Sequence, residues 1–137
     1  MADRALIAST GLMAGFTLAV TFVASPLVDI STKKRDTWSR LYENGAKMAV
    51  PLALTTAISG GMLYYKTPNP RILAATIIGA FPIPFTVLAM SPTNKAIENS
   101  SNNDPKVDGL VNKWNQLHNV RTLVSVVSFG LAVYALV

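Results

Sequence analysis

Four stretches of the chain carry no Asp, Glu, Lys, Arg or His: Ala5–Val28 (24 residues), Met48–Tyr65 (18), Ile72–Ser91 (20) and Thr122–Val137 (16). Together they make up 78 of the 137 residues. A helix rises about 1.5 Å per residue, so crossing roughly 30 Å of hydrocarbon takes about 20 apolar residues. The first and third runs meet that length directly. The second and fourth meet it once flanking residues are recruited, which in the last draws in His118 and Arg121 at the bilayer edge. The pattern predicts an all-α fold, a four-transmembrane-helix bundle of antiparallel up-down topology, as one domain over 1–137 with spans at about 5–28, 46–65, 71–91 and 117–137. Four buried helices of a soluble protein would need more polar sequence to cover them than the chain holds. The first run is too long for the apolar part of a secretory signal and no clear small-residue cleavage pattern follows it, so it reads as a retained helix.

Polar and proline residues mark the boundaries. Pro26 lies near the end of the first helix, before Asp29. Asn69 and Pro70 have the residue types of an N-cap and first helical position, and the turn Lys66–Pro70 is short enough to make helices two and three antiparallel neighbours. Ser91-Pro92 is read as the end of the third helix, Asn99–Asn103 as a loop, and Asp104-Pro105 as the restart of a helix running to the C-terminus. Pro82 and Pro84 fall inside the third helix, where the carbonyls they free need partners from packing or a lined cavity. Gly11 and Gly15 on helix one, and Gly60-Gly61 on helix two, are read as close-packing faces.

Composition agrees with this class. Half the residues are hydrophobic and 14% are charged, against roughly 25% in an ordinary soluble protein, and mean hydropathy is +0.36. That argues against a disordered chain. The net charge of +5 does not imply nucleic-acid binding, because membrane topology accounts for it. With an even number of spans, the termini and the 66–71 turn share one side and hold Arg4, Lys66 and Arg71. The other side holds Lys33, Lys34, Arg35, Arg40, Lys47, Lys95, Lys106 and Lys113. The positive-inside rule then places the 29–47 and 92–117 loops in the cytosol and both termini on the extracytoplasmic or lumenal side. The basic residues between Ser31 and Lys47 are compatible with binding anionic lipid headgroups, but the preferred reading is a solvated loop that fixes topology; the lipid bilayer is an expected partner, and a homo-oligomer is compatible with the sequence.

Candidate chemistry gathers on the cytosolic side. On the last helix, Trp114, His118, Arg121, Ser125 and Ser128 are spaced by four, three, four and three, which lays them along one stripe. A polar stripe on a spanning helix faces the bundle interior or a wet cavity. Trp38, Tyr42 and Asn44 in the first loop, and Thr93 and Asn94 after helix three, fall at the same level. Trp38 reads equally as an interfacial anchor, and Arg121 as a side chain snorkelling to headgroups. With no cysteine and one histidine, a single copy cannot assemble a disulfide, a thiolate nucleophile or a multi-histidine metal centre.

Three segments together are more specific than any alone: Trp38-x3-Tyr42-x2-Gly45, then Pro84-Phe85-Thr86 with Pro92-Thr93-Asn94, then Trp114-x3-His118-x2-Arg121. On four short hydrophobic helices with a polar loop before the last, this arrangement resembles the anthrone-oxygenase-like family of small integral membrane proteins. The resemblance spans nearly the whole chain. It implies oxidation of a polyketide anthrone by molecular oxygen to an anthraquinone without metal or flavin, and it carries over onto Asn94, Trp114, His118 and Arg121. The residues are compatible with that chemistry. Lacking the ligands of the usual non-haem iron or copper site, an oxygenase built from this chain needs a substrate that supplies its own electrons, and a deprotonated anthrone does.

The roles expected on that basis are these. His118, with an ordinary pKa of about 6.5, accepts the proton from the carbon acid. Arg121 stabilises the enolate-like oxygen or a peroxide. Asn94 donates a hydrogen bond to a carbonyl or phenol. Trp114, with Trp38 and Tyr42, stacks on a planar aromatic substrate, and Phe81 and Phe85 line the apolar end. No cofactor and no metal are expected; the partners are the substrate, O2 and lipid, with no nucleic acid. The competing reading is a non-catalytic membrane scaffold or partner-binding subunit, in which Arg121 tolerates Lys and no pocket opens. A haem protein ligated by His118 and a transporter are weaker rivals.

Overall fold

The computed structural model describes residues 1–137 and consists of four long helices with no strand. They are α1 (Ala2–Asp29), α2 (Lys34–Lys66), α3 (Pro70–Glu98) and α4 (Val107–Leu136), and all four are long and apolar enough to cross a membrane. Each helix packs on its sequence neighbours, and α1 packs on α4, so the bundle closes as a ring in chain order. The short link after α1 and the loop after α3 meet at one end. There Lys34 Nζ contacts Asp108 at 2.8 Å, Arg35 donates to the Glu98 carbonyl at 2.8 Å, and Asp36 and Asn102 are doubly hydrogen-bonded.

Asn69 caps α3 as expected, its side chain accepting from the Arg71 amide at 2.9 Å with Pro70 in the first turn. Two other boundaries differ from the sequence reading. Helix α2 starts at Lys34, so Trp38, Tyr42 and Asn44 lie on its first turns and not in a loop. Helix α3 continues through Ser91-Pro92 to Glu98. Charge marks where a helix leaves hydrocarbon, and Lys, Arg and Glu are themselves good helix formers, so helices outrun their charge-free runs. Pro92 is absorbed by a widened π-turn just before it, Thr86–Met90, and Pro26 follows a matching π-turn at Val20–Ala24. Each proline lacks an N–H and crowds the carbonyl four residues back, and an i→i+5 turn relieves that strain.

Between two apolar clusters the middle of the bundle is built largely from small and hydroxyl-bearing residues, and many large apolar side chains point outward. Leu12, Phe22, Ile58, Ile77, Leu88 and Leu123 are each at least 60% exposed. Between helices, Ser9 and Thr56 share a hydrogen bond of 2.8 Å and Ser128 donates to the Ala75 carbonyl at 2.8 Å. Gly60 lies flush against the Thr76 side chain, and Gly79 sits where a Cβ would come within 2.5 Å of Ser128 Oγ and 2.7 Å of Thr56 Cγ2. Hydroxyl bonds and close backbone approach are the cohesive forces left when the surroundings are as greasy as the core. The expected glycine faces are only half used. Gly11 abuts Phe129, whereas Gly15 and Gly61 are exposed with no neighbouring side chain against them. Two apolar clusters bracket the bundle, one around Trp38, Met90, Ile97 and Trp114 at the linked end, the other around Leu6, Ile72 and Ala132 near the termini.

Candidate functional site

The stripe on α4 turns inward as its spacing requires: Trp114, His118, Ser125 and Ser128 are all buried. At its centre runs one directed chain of hydrogen bonds across three helices. Thr86 donates to the Pro82 carbonyl at 2.7 Å, and its oxygen accepts from Arg121 Nη1 at 3.1 Å. Arg121 Nη2 lies 2.7 Å from His118 Nδ1, and His118 Nε2 lies 3.2 Å from the Thr17 carbonyl. A guanidinium only donates and a carbonyl only accepts. The imidazole therefore carries its proton on Nε2 and offers its lone pair at Nδ1 to Arg121. Thr122, one turn on, closes the α1–α4 seam through Thr21 at 2.8 Å and the Thr17 carbonyl at 3.2 Å.

The aromatic residues form a continuous run beside this chain. The Trp114 and His118 rings are parallel with centroids 5.2 Å apart, and the Arg121 guanidinium sits 5.5 Å from the Trp114 centroid. Trp38 meets Trp114 edge-on at 6.1 Å and stacks on Tyr42 at 5.2 Å. No carboxylate pairs with Arg121, and its Nε is enclosed without a partner. A cation held in a largely apolar setting with neutral partners only is costly, and it creates a standing preference for an anion beside it.

Arg121, His118 and Trp114 line a cavity of about 240 Å³ bounded by all four helices. Met13, Phe16 and Val20 of α1 form one wall. Gly45, Ala46, Ala49 and Ala53, small residues at helical spacing on α2, leave the space open, and Pro82, Ile83, Thr86 and Val87 of α3 close the far side. Helices α2 and α3 pack tightly between Gly60 and Thr76 but part beyond Pro82, and there Val50 and Val87, 46% and 64% exposed, flank an opening to the outside of the bundle. No three His, Cys, Asp or Glu side chains converge anywhere in the chain.

The structure brings together His118, Arg121, Trp114 and Tyr42 of the expected site. Trp38 is fully buried behind Trp114, so it is neither an interfacial anchor nor a cavity wall. Arg121 turns into the bundle and does not snorkel. Phe81 and Phe85 stack on each other at 5.3 Å outside the cavity lining. Pro82 and Pro84 have no N–H to continue the helical ladder, and the face of this segment that looks inward carries 82, 83, 86 and 87. Asn94 lies in a separate adjoining chamber. Sequence reasoning missed Thr86, Thr17 and the whole α1 wall. The Pro84-Phe85-Thr86 segment signalled Thr86, but a backbone carbonyl such as that of Thr17 leaves no trace in side-chain pattern.

A four-helix bundle of membrane-spanning dimensions, with a buried histidine and a part-buried arginine at the wall of an internal cavity, defines a class of small helical proteins hollow at the centre. Residues 38–131 match the anthrone oxygenase family. The chain is also 32% identical over 125 residues to the anthrone oxygenase tpcL of Aspergillus fumigatus, covering 83% of this chain and 77% of that relative. The chain belongs to the anthrone oxygenase family, as its three sequence segments suggested. No solved structure matches it.

Proposed function

We propose that the protein is a membrane-embedded oxygenase that converts an anthrone-like substrate to a quinone with O2 and no resident cofactor. The observation that carries this reading is Arg121, a cation without a counter-ion, bound to the lone pair of a single histidine at the wall of an apolar, aromatic cavity. Family membership supports it.

In this mechanism the flat substrate enters beside Trp114 and Tyr42 with its carbonyl oxygen toward Arg121. That oxygen takes the donor now given to His118 Nδ1, which frees the imidazole lone pair to accept a proton from the ring CH2. The resulting anion is delocalised onto the oxygen facing the guanidinium, where preorganised charge is most effective. One electron passes from the anion to O2, the radical and superoxide combine into a C–O bond, and the peroxide takes up a proton. Loss of water then leaves the second carbonyl. One O2 supplies the new carbonyl oxygen and the oxygen of the water, and the substrate supplies both hydrogens and all four electrons. The opening at Val50 and Val87 admits both reactants from the hydrocarbon phase, where each is more soluble than in water.

The bundle end holding residues 30–33 and 99–106 faces the cytosol in this proposal, on the strength of its basic residues. The cysteine-free chain suits a direct check: a cysteine at Ser100 is labelled from the cytosolic side and one at Tyr65 from the opposite side. The deciding experiment for function is oxygen uptake by purified protein in detergent with an anthrone, with the quinone followed by absorbance. No enzyme-dependent quinone above the autoxidation rate would refute the reading.

A further inference from the structure

The Asn94 carboxamide lies outside the chemistry just described, yet its setting is unusual. Asn94 is 6% exposed, it forms no hydrogen bond, and its Oδ1 is fully enclosed. A buried amide without partners is costly, and one that persists points to something else that satisfies it. The side chain lines a second cavity of about 240 Å³, together with Ser91, Lys95 and Glu98 from the same face of α3. Tyr42, Thr86 and Val87 line both cavities and form the wall between them. Thr86 is the residue that holds Arg121, so the two chambers meet at the catalytic end of the first.

Resting on the oxygenase reading, we infer that the Asn94 chamber is a specificity pocket for a hydroxyl group on an outer ring of the substrate. Eight residues separate Thr86 and Asn94, about 12 Å along a helix axis. A fused-ring system whose central carbonyl faces Arg121 projects an outer ring past Tyr42 toward Asn94. A hydroxyl both donates and accepts, so it satisfies the carboxamide whichever way the amide is turned. An unsubstituted ring edge leaves Asn94 unmatched and displaces water from Ser91, Lys95 and Glu98 without replacing their hydrogen bonds. Sites that hydrogen-bond a substrate hydroxyl discriminate against the analogue lacking it for this reason. Asn94 thus serves selection: of the two partners the sequence suggested for its hydrogen bond, a carbonyl or a phenol, this reading takes the phenol.

The test compares an anthrone with ring hydroxyls against unsubstituted anthrone, in the unaltered protein and in Asn94→Leu. It also measures binding by quenching of tryptophan fluorescence, since Trp114 lines the first cavity and Trp38 packs edge-on behind it. The unaltered protein prefers the hydroxylated substrate in kcat/KM by about ten- to a hundredfold, the scale of one hydrogen bond in a closed site. In Asn94→Leu the ratio falls to within about threefold of one, through a higher KM and weaker quenching by the hydroxylated compound. If the Leu variant does not fold, Asn94→Ala, which deletes the carboxamide without adding bulk, gives the same collapse. An unchanged ratio, or equal losses on both substrates through kcat, overturns the inference and leaves the chamber a water pocket. If neither anthrone is oxidised but quenching by the hydroxylated one still depends on Asn94, the pocket stands and the oxygenase reading falls.

Discussion

Replacing Arg121 by Met separates function from architecture, because stability is expected to change little while catalysis falls steeply. The guanidinium has three neutral partners, the Thr86 hydroxyl at 3.1 Å, His118 Nδ1 at 2.7 Å and the face of Trp114 at 5.5 Å, and no carboxylate. Removing it deletes two hydrogen bonds, worth about 1.5–3 kcal/mol each when a charge is involved. It also removes a desolvation cost of several kcal/mol for a cation in a poorly solvated site, so the two terms roughly cancel. The Met variant is therefore expected to unfold within about 1 kcal/mol of the parent, followed by circular dichroism in detergent. Catalysis has no such compensation. Losing the one cation that faces the developing oxyanion is expected to lower kcat about 100- to 1000-fold, the range seen when one oxyanion donor is removed. Arg121→Lys recovers little of it, since one ammonium cannot reach Thr86, His118 and the substrate oxygen with the fork geometry of a guanidinium. The assay is quinone formation corrected for spontaneous autoxidation. A Met or Lys variant with at least a third of parental activity refutes the electrostatic argument, and a large loss of stability shows that Arg121 is a structural strut.

Further outcomes follow from the same geometry. His118→Ala leaves the Trp114 stack without its partner and is expected to lower kcat about 100- to 10,000-fold if His118 is the base, with rescue by added imidazole as the check. Gly60→Ala places a Cβ into the Thr76 side chain and should cost about 1–3 kcal/mol in thermal stability, whereas Gly61→Ala, with nothing near it, should be neutral or slightly stabilising. Val87→Trp narrows the opening between α2 and α3 and is expected to lower kcat/KM for a lipophilic anthrone more than kcat at saturation; equal effects on both would place entry elsewhere. Oxygen uptake is expected to survive a strong metal chelator, and its loss with recovery on adding one metal would replace the cofactor-free mechanism.

Much of this was legible before any coordinates. Interruptions in charge reported four helices, and Asn69-Pro70 reported where one begins. The 114–118–121–125–128 spacing reported an inward polar stripe. These are properties of single helices and of a solvent that rejects charge, so periodicity and composition carry them. Helix ends were read less well at Lys34 and Glu98, because charge locates the edge of the hydrocarbon and not the edge of the helix.

The sequence by itself determined the class, the number of helices and which face of α4 looks inward, since each depends on residues within one segment. Tertiary structure alone decided what that face meets. The Thr17 carbonyl fixes the histidine tautomer, Thr86 takes the other arm of Arg121, and small residues on α2 leave the cavity hollow. It also decided that Phe81 and Phe85 lie outside the cavity lining and that Asn94 occupies its own chamber, beyond a π-turn at Thr86–Met90 that changes the rotational phase of α3. Local pattern assumes a constant 3.6-residue turn, and where prolines break that period only the folded packing says which side chain faces which.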